Sequence, residues 1–299
     1  MTTKAGRIRV YGGIEAGGTK FVCAAGTGPE NILAQKRFPT TTPQATLAKA
    51  IRFFQETGIP LAGIGIASFG PLDLDKKSPA YGSITSTPKA GWANTDLVKP
   101  FQAAFNTPVA LDTDVNGAAL GEGKWGAAQG LDTFIYLTIG TGIGGGGMVN
   151  GKLMHGLTHP EMGHILIPHD FQKDPFPGIC PFHGDCWEGL ASGTAVAKRW
   201  GTPAESLPPN HEAWQLEAGY IGCGVTNLIL ALSPQKIILG GGIMKAPGLL
   251  AGVQKTVKAL LNNYVNSSVI SDKISDYIVA PGLGDLSGVL GAIALAEAG

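Results

Sequence analysis

Charge is what this sequence has little of. Charged residues make up only 15% of the 299-residue chain, and the two signs cancel to a formal net charge of zero. With no basic excess and no local Lys/Arg cluster, the chain lacks the sequence-independent attraction on which nucleic-acid binding rests. Long apolar runs are missing as well. None approaches the roughly 18 residues that span a bilayer, and the polar opening stretch Met1–Arg9 has no apolar core of signal-peptide length. These absences predict a cytoplasmic protein with neither a nucleic-acid nor a membrane partner. Cysteine is scarce too, and four residues in a chain of this size do not make a disulfide framework. Cys23 and Cys223 stand singly in apolar stretches, as core residues do, whereas Cys180 and Cys186 lie close together.

Hydrophobic content of 44% is ample for a packed core, and the length suits two domains of ordinary size. The abundant residue is glycine, at 45 positions, about double the average share. The glycines follow no period, which excludes collagen-like and low-complexity readings. Many fall in short clusters after apolar runs, where a backbone turns sharply or approaches a ligand closely. That placement predicts phosphate-binding loops.

Two segments share one plan. In the first, the β-rich run Ile8–Ile14 leads through Glu15-Ala16-Gly17-Gly18-Thr19-Lys20 into a second run, Phe21–Ala25. In the other, Phe134–Ile139 leads through the glycine-rich stretch Gly140–Gly147 into Met148-Val149 and an Asn150-Gly151 turn. Each reads as a β-hairpin with a phosphate-sized tip. Between them the pattern predicts a helix over Pro43–Thr57, a buried strand Ala62–Ser68 ending at Gly70-Pro71, and a helix around Asp96–Phe105. A strand Val109–Asp112 follows, and a helix starting near Asn116. Further on come a long buried helix Glu212–Leu232, strand Lys236–Leu239, the turn Gly240-Gly241-Gly242, and helices over Pro247–Tyr264 and Ser287–Glu297. Alternating strands and helices imply an α/β architecture.

Gly140-x-Gly142-x-x-Gly145 satisfies the dinucleotide-binding expression, but that mechanism needs a helix right after the loop, and strand residues follow here. No Gly-Lys-Ser/Thr stands at Walker A spacing either. Hairpin tips account for the glycines better, because exposed backbone N–H groups form anion-binding concavities to which a Thr hydroxyl or Lys ammonium adds a donor. Gly17, Gly18, Thr19 and Lys20 make one such cradle, and Gly140, Thr141, Gly142 and Gly144 another. The turn Gly240, Gly241 and Gly242 adds a third glycine cluster.

Asp112 and Asp114, at the end of a predicted strand, are rival candidates for a catalytic base and for the N-cap of the next helix. Cys180-Pro181-Phe182-His183-Gly184-Asp185-Cys186 holds three metal donors in C-x2-H-x2-C spacing. A fourth donor from His155, His159, His164 or His169 closes a tetrahedron of the kind structural Zn2+ prefers. Four protein ligands leave no open position for catalysis, and in a reducing compartment metal binding explains paired cysteines better than a disulfide does.

The ordered set Glu15–Lys20, Thr113-Asp114-Val115-Asn116, Ile139–Gly145, Glu161-Met162-Gly163-His164, the Cys/His cluster and Leu239–Gly242 resembles the ROK family of sugar kinases and repressors over nearly the whole chain. The resemblance implies a duplicated actin/hexokinase-like, ribonuclease H-like fold of two α/β lobes. These would be residues 1–122 and 123–285, with a C-terminal helix at about 286–299 returning to the first lobe. It implies ATP and Mg2+ held between the lobes with a sugar alongside, and a homodimer. Asp114 becomes the catalytic base and His164 the fourth metal ligand, beside Cys180, His183 and Cys186. Glu161 and Glu188 hydrogen-bond sugar hydroxyls, and Asn116, Gly70, Pro71 and Gly91 help wall the sugar. Metal binding would then fix the two glutamates while leaving the ATP contacts untouched.

The chain departs from the family at Glu15, where most relatives have Asp, at Thr113, where many have Asn, and at His183, where many have a third cysteine. It opens directly on its first strand, without the helix-turn-helix of ROK repressors, which favours an enzyme. His159-Pro160-Glu161-Met162-Gly163-His164 together with His183 resembles the ROK fructokinases. The expected reaction is therefore ATP-dependent phosphorylation of fructose to fructose 6-phosphate. Glucose, mannose and N-acetylmannosamine are the rival substrates, and a non-catalytic sugar sensor is the rival class.

Overall fold

The structure, a computed structural model, describes residues 9–299. Ile8, with which the first predicted strand began, and most of the polar opening stretch lie outside the described residues. The chain separates into two compact units. The first comprises residues up to Gly126, His155–His159 and Asp285–Gly299; the second comprises Ala127–Met154 and Pro160–Gly284. Residues 155–159 thus cluster apart from their sequence neighbours.

The first unit is built on the strands β1 (Val10–Ala16), β2 (Lys20–Gly28), β3 (Asn31–Pro39), β4 (Leu61–Ser68) and β5 (Val109–Thr113). Their order is β3-β2-β1-β4-β5. The β1–β2–β3 meander is antiparallel, while β4 lies parallel to β1 and β5 parallel to β4. Helix α1 (Pro43–Thr57) begins at an N-cap, Thr42, whose hydroxyl accepts from Ala45 N, and stops at Gly58 in the left-handed region. Helix α2 (Lys99–Phe105) starts later than the sequence predicts, because Asp96 accepts the free N–H groups of Val98 and Lys99 from outside the helix. Helix α3 (Asp114–Trp125) follows β5 without a loop.

The C-terminal helix, Ser287–Ala298, packs on β1, β4 and α3. Glycine permits this close approach, since a Cβ on Gly65 of β4 would overlap the Ala292 carbonyl oxygen. Part of the glycine excess therefore serves helix-on-sheet packing and not ligand loops. In the core of this unit Phe21 stacks on Phe38 and lies tilted against Trp92, and the buried Trp92 donates its indole N–H to Thr41 O at 2.8 Å.

The second unit repeats the plan. Its sheet runs β10-β9-β6-β7-β8, built from β6 (Phe134–Ile139), β7 (Ile143–Val149), β8 (Lys152–Leu153), β9 (Ile237–Gly240) and β10 (Ile278–Val279). Again an antiparallel meander continues into parallel strands. Helices α4 (Trp187–Ala191), α5 (Gly193–Trp200), α6 (Ala213–Leu232) and α7 (Leu249–Leu261) belong to it. Ile135, Leu137 and Ile139 share a core with Ile221 and Val225 of α6.

The glycine stretch differs from the expected long tip. Gly144–Gly147 are strand residues of β7, and the tip is only Gly140–Gly142. A Cβ on Gly145 would come within 2.7 Å of Met162, so small residues let β7 pack tightly. Among the described residues no helix is long and apolar enough to cross a membrane.

Candidate active site and metal centre

In the first unit, the parallel strands β4 and β5 end beside the β1–β2 tip. The tip is tight: Gly17 N donates to Lys20 O at 2.9 Å, and Thr40 braces it by donating its hydroxyl to Gly17 O and its N–H to Thr19 O. Gly18 and Thr19 face outward, and the Lys89 side chain passes beside Gly18. Glu15 sits just before the tip, at the end of β1. Its Oε2 is buried and has no hydrogen-bond partner among the described residues. Burial pushes its carboxyl up to about 7, with Lys20 opposing the shift and Asp114 adding to it. Room for a glutamate comes from Gly288 of the C-terminal helix, where a Cβ would stand 2.6 Å from Glu15 Cδ.

The rivalry at the end of β5 resolves by geometry. Thr113 is the N-cap of α3, its hydroxyl accepting from Asn116 N at 3.2 Å. Asp112 is buried with both oxygens in use. Oδ1 accepts from Thr113 N at 2.8 Å and Asn116 Nδ2 at 2.9 Å, and Oδ2 pairs with His155 Nε2 at 2.9 Å. Asp114, the first residue of α3, accepts from Val115 N at 2.9 Å through Oδ1 and leaves Oδ2 without a hydrogen bond among the described residues. Burial raises the Asp114 carboxyl above the usual range, opposed by backbone donors and by His159. Capping thus occupies Thr113 and structure occupies Asp112, which leaves Asp114 as the carboxylate of this stretch with an oxygen that no described residue engages.

Asn116 lies fully buried on Asp112 and presents no accessible face. Gly70 lies against the His159 ring, and Pro71 O accepts from Thr85 N. Gly91 is exposed on a shallow groove along α1, beside Pro43 and Leu47.

In the second unit, the Gly140–Gly142 tip closes through Gly140 N donating to Gly142 O at 2.9 Å. The start of α5 supports it, with Gly193 N donating to Gly140 O and the Thr194 hydroxyl to Thr141 O, both at 2.7 Å. A Cβ on Gly140 or on Gly242 would meet nothing within 4 Å, so backbone is open to a ligand at both. Gly241 holds φ 95° and Gly240 packs on the Tyr136 hydroxyl, so these two shape the turn.

His164, Cys180, His183 and Cys186 bring one ligand atom each within 4.8 Å of one another. Cys180 Sγ lies 3.7 Å from His164 Nδ1 and 3.6 Å from His183 Nδ1, and Cys186 Sγ lies 3.5 Å from His164 Nδ1. Reciprocal backbone bonds between Cys180 and Gly184 form the knuckle. The rival donors are used elsewhere. His169 spends Nδ1 on Asp185 Oδ2 and Nε2 on Asp174 O, both at 3.0 Å, while His155 and His159 belong to the first unit.

Glu161 is exposed and its carbonyl takes the His164 N–H at 3.0 Å. Glu188 is different. It stands in the first turn of α4, two residues past Cys186, and its Oε2 accepts from Ile143 N at 2.9 Å, at the end of the glycine tip. One carboxylate therefore joins the metal loop to the phosphate-sized tip. This bond is a path by which loss of metal would also reach the glycine tip.

Sequence reading missed the Asp112–Asn116–His155 group, because its partners are 39 to 43 residues apart. It also missed the buried cluster of Arg199 with Asp174 and Glu217, held at 3.1 and 3.4 Å. The two imidazoles of the His155–His159 segment were the available signal.

The ionisation of Glu15 gives a test. A carboxyl raised from 4.5 to about 7 keeps its proton in the folded state where the unfolded chain has lost it. Stability of the unliganded protein is expected to fall as pH rises between about 4.5 and 7 through this group. Glu15→Gln should remove that part of the slope. Thermal melts of both proteins across that range check it, and identical slopes would place Glu15 in contact with solvent.

Comparison with known proteins identifies the family and the fold. The family model described as "ROK family" matches residues 11–298. A putative fructokinase of Bacillus subtilis (strain 168) is 49% identical over 96% of this chain and 95% of its own length. The fructokinase of Zymomonas mobilis is 49% identical over 97% of each. Among solved structures, a ROK hexokinase from Thermus thermophilus superposes with a TM-score of 0.75 at 26% identity, covering 97% of this chain and 98% of the other.

Proposed function

Because the chain belongs to the ROK family, we propose that it transfers the γ-phosphoryl group of ATP to fructose, giving fructose 6-phosphate. Similarity to fructokinases at 41–49% identity over most of the chain supports fructose as the hexose. The observation that carries the reaction is the division of labour at Thr113, Asp112 and Asp114, in which only Asp114 keeps a carboxylate oxygen uncommitted.

Phosphoryl transfer asks the protein for positioning and charge stabilisation. Asp114 Oδ2 accepts the proton of the attacking sugar hydroxyl as the oxygen bonds to phosphorus, and ADP departs. The raised Asp114 carboxyl makes it a stronger base than an ordinary aspartate. Each glycine tip by itself presents backbone N–H groups of the kind that bind phosphate oxygens, and Thr19 and Lys20 add donors at the first. Glu15 and the buried, unpartnered oxygen it carries fit a carboxylate that hydrogen-bonds water on Mg2+. When bound, Mg2+ neutralises charge on the phosphates.

The four-residue cluster fits Zn2+. Bond lengths of about 2.3 Å to sulfur and 2.0 Å to nitrogen in a tetrahedron would put N···S edges at about 3.5 Å; three of these edges are 3.5–3.7 Å, and all four ligand atoms lie within 4.8 Å of one another. With all four positions filled by protein, a bound Zn2+ would be structural and would fix the loop that leads into Glu188. Resemblance also supports a cytoplasmic homodimer, which sedimentation of the purified protein checks.

Product analysis tests the reading. With fructose and Mg2+-ATP, ADP and fructose 6-phosphate are expected in equal amounts. ADP formed without sugar phosphate contradicts it.

A further inference from the structure

Residues 155–159 carry an imidazole at each end, and both are anchored in the first unit. His159 is buried, accepts from Leu72 N at 3.0 Å through Nε2, and acts electrostatically on Asp114. His155 pairs through Nε2 with Asp112. Between them Gly156 N closes on Thr158 O, and Leu157 is fully exposed. The segment therefore crosses the ends of β4 and β5, where Asp114 stands.

His155 is not buried like its supports. Asp112 is 4% exposed and Asn116 wholly buried, yet the His155 side chain is 41% exposed and its Nδ1 has no hydrogen bond among the described residues. A buried carboxylate, itself held by Asn116 and Thr113 N, thus fixes the plane and tautomer of a ring whose other nitrogen faces out. With Nε2–H donated to Asp112, the neutral ring offers Nδ1 as an acceptor. The Asp112 hydrogen bond also raises the imidazole above its ordinary range, which makes the cationic donor form accessible. Either form suits a sugar hydroxyl, which both donates and accepts.

Position points to the sugar. Asp112, which holds the ring, is two residues before Asp114, a separation of about 6–7 Å along an extended chain. A hexose with one hydroxyl on Asp114 therefore has others within reach of the ring.

Resting on the kinase reading above, we propose that His155 contacts a hydroxyl of the ketohexose other than the one phosphorylated and helps select the sugar, with Asp112 as its positioning residue. The competing view is a strut: the pair pins the 155–159 segment and touches no substrate.

The two are separated by kcat/KM for fructose and for analogues that each lack or invert one hydroxyl (deoxyfructoses, tagatose, sorbose), measured for wild type, His155→Ala and His155→Gln. In His155→Ala, kcat/KM for fructose is expected to fall about 10-fold to 100-fold, chiefly through KM, as for a hydrogen bond to a polar or charged group. KM for ATP stays within about twofold. One analogue strongly disfavoured by wild type loses that handicap in His155→Ala, because the hydroxyl it lacks no longer has a partner. His155→Gln, which keeps a polar side chain, recovers part of the discrimination and covers the case in which alanine loosens the segment. An analogue pattern unchanged from wild type in both variants overturns the contact and leaves the strut. Wild type that turns over no hexose overturns the kinase reading, and this inference with it.

Discussion

Asp114→Asn is expected to lower fructose-dependent ATP consumption by about 10²-fold to 10⁴-fold, the range a positioned general base supplies. Asparagine keeps the shape and still accepts from Val115 N, and Thr113 still caps α3, so the melting temperature should hold. Binding of sugar should survive, since the lost function is proton acceptance in the transition state; the fall belongs in kcat, with KM nearly unchanged. Asp112→Asn makes the contrast. That carboxylate is buried and takes bonds from Thr113 N, Asn116 and His155. Its loss should weaken stability and sugar KM more than kcat. Steady-state kinetics and melts of the two variants check the assignment, and activity retained in Asp114→Asn but abolished in Asp112→Asn would exchange their roles.

The second large effect concerns the proposed Zn2+ site. Treating the protein with a chelator, or replacing Cys186 by Ser, is expected to lower the melting temperature by about 10 °C, since structural metal binding is folding free energy. Both KM values should rise, by about 10-fold or more. The reason is Glu188, which leaves the metal loop on α4 and accepts the Ile143 N–H at the glycine tip. A metal acting on sugar alone would move one KM; the bond from Glu188 carries the disturbance to the phosphate side. Metal content, melting temperature and both KM values, followed before and after chelation and after re-addition of Zn2+, test this. A rise confined to the sugar KM would show that the Glu188 bond does not transmit.

Much of this was legible in the sequence. The hairpins around Gly17 and Gly140 announce themselves because apolar alternation stops at glycine and resumes as strand. Helix α1 carries both boundary signals, Thr42-Pro43 and Gly58. Strand β3 does not, since it is an edge strand whose exposed Gln35, Lys36 and Arg37 break the apolar pattern. Helices α4 and α5 are too short and glycine-flanked to show a period, and Ser192 ends one and caps the other. The convergence of His164, Cys180, His183 and Cys186 could be anticipated from spacing and family order. What could not be read are long-range pairings in which local sequence is silent: His155 on Asp112, Glu188 on Ile143 N, and the space Gly288 leaves for Glu15.

The central claim is ATP-dependent phosphorylation of fructose with Asp114 as base. It is tested most directly by hexose-dependent ADP formation over a panel of fructose, glucose, mannose and N-acetylmannosamine, with wild type and Asp114→Asn side by side. The account predicts the highest kcat/KM for fructose in wild type and near-complete loss in the variant. No hexose-dependent ADP formation, a higher kcat/KM for another sugar, or full activity in Asp114→Asn would contradict it.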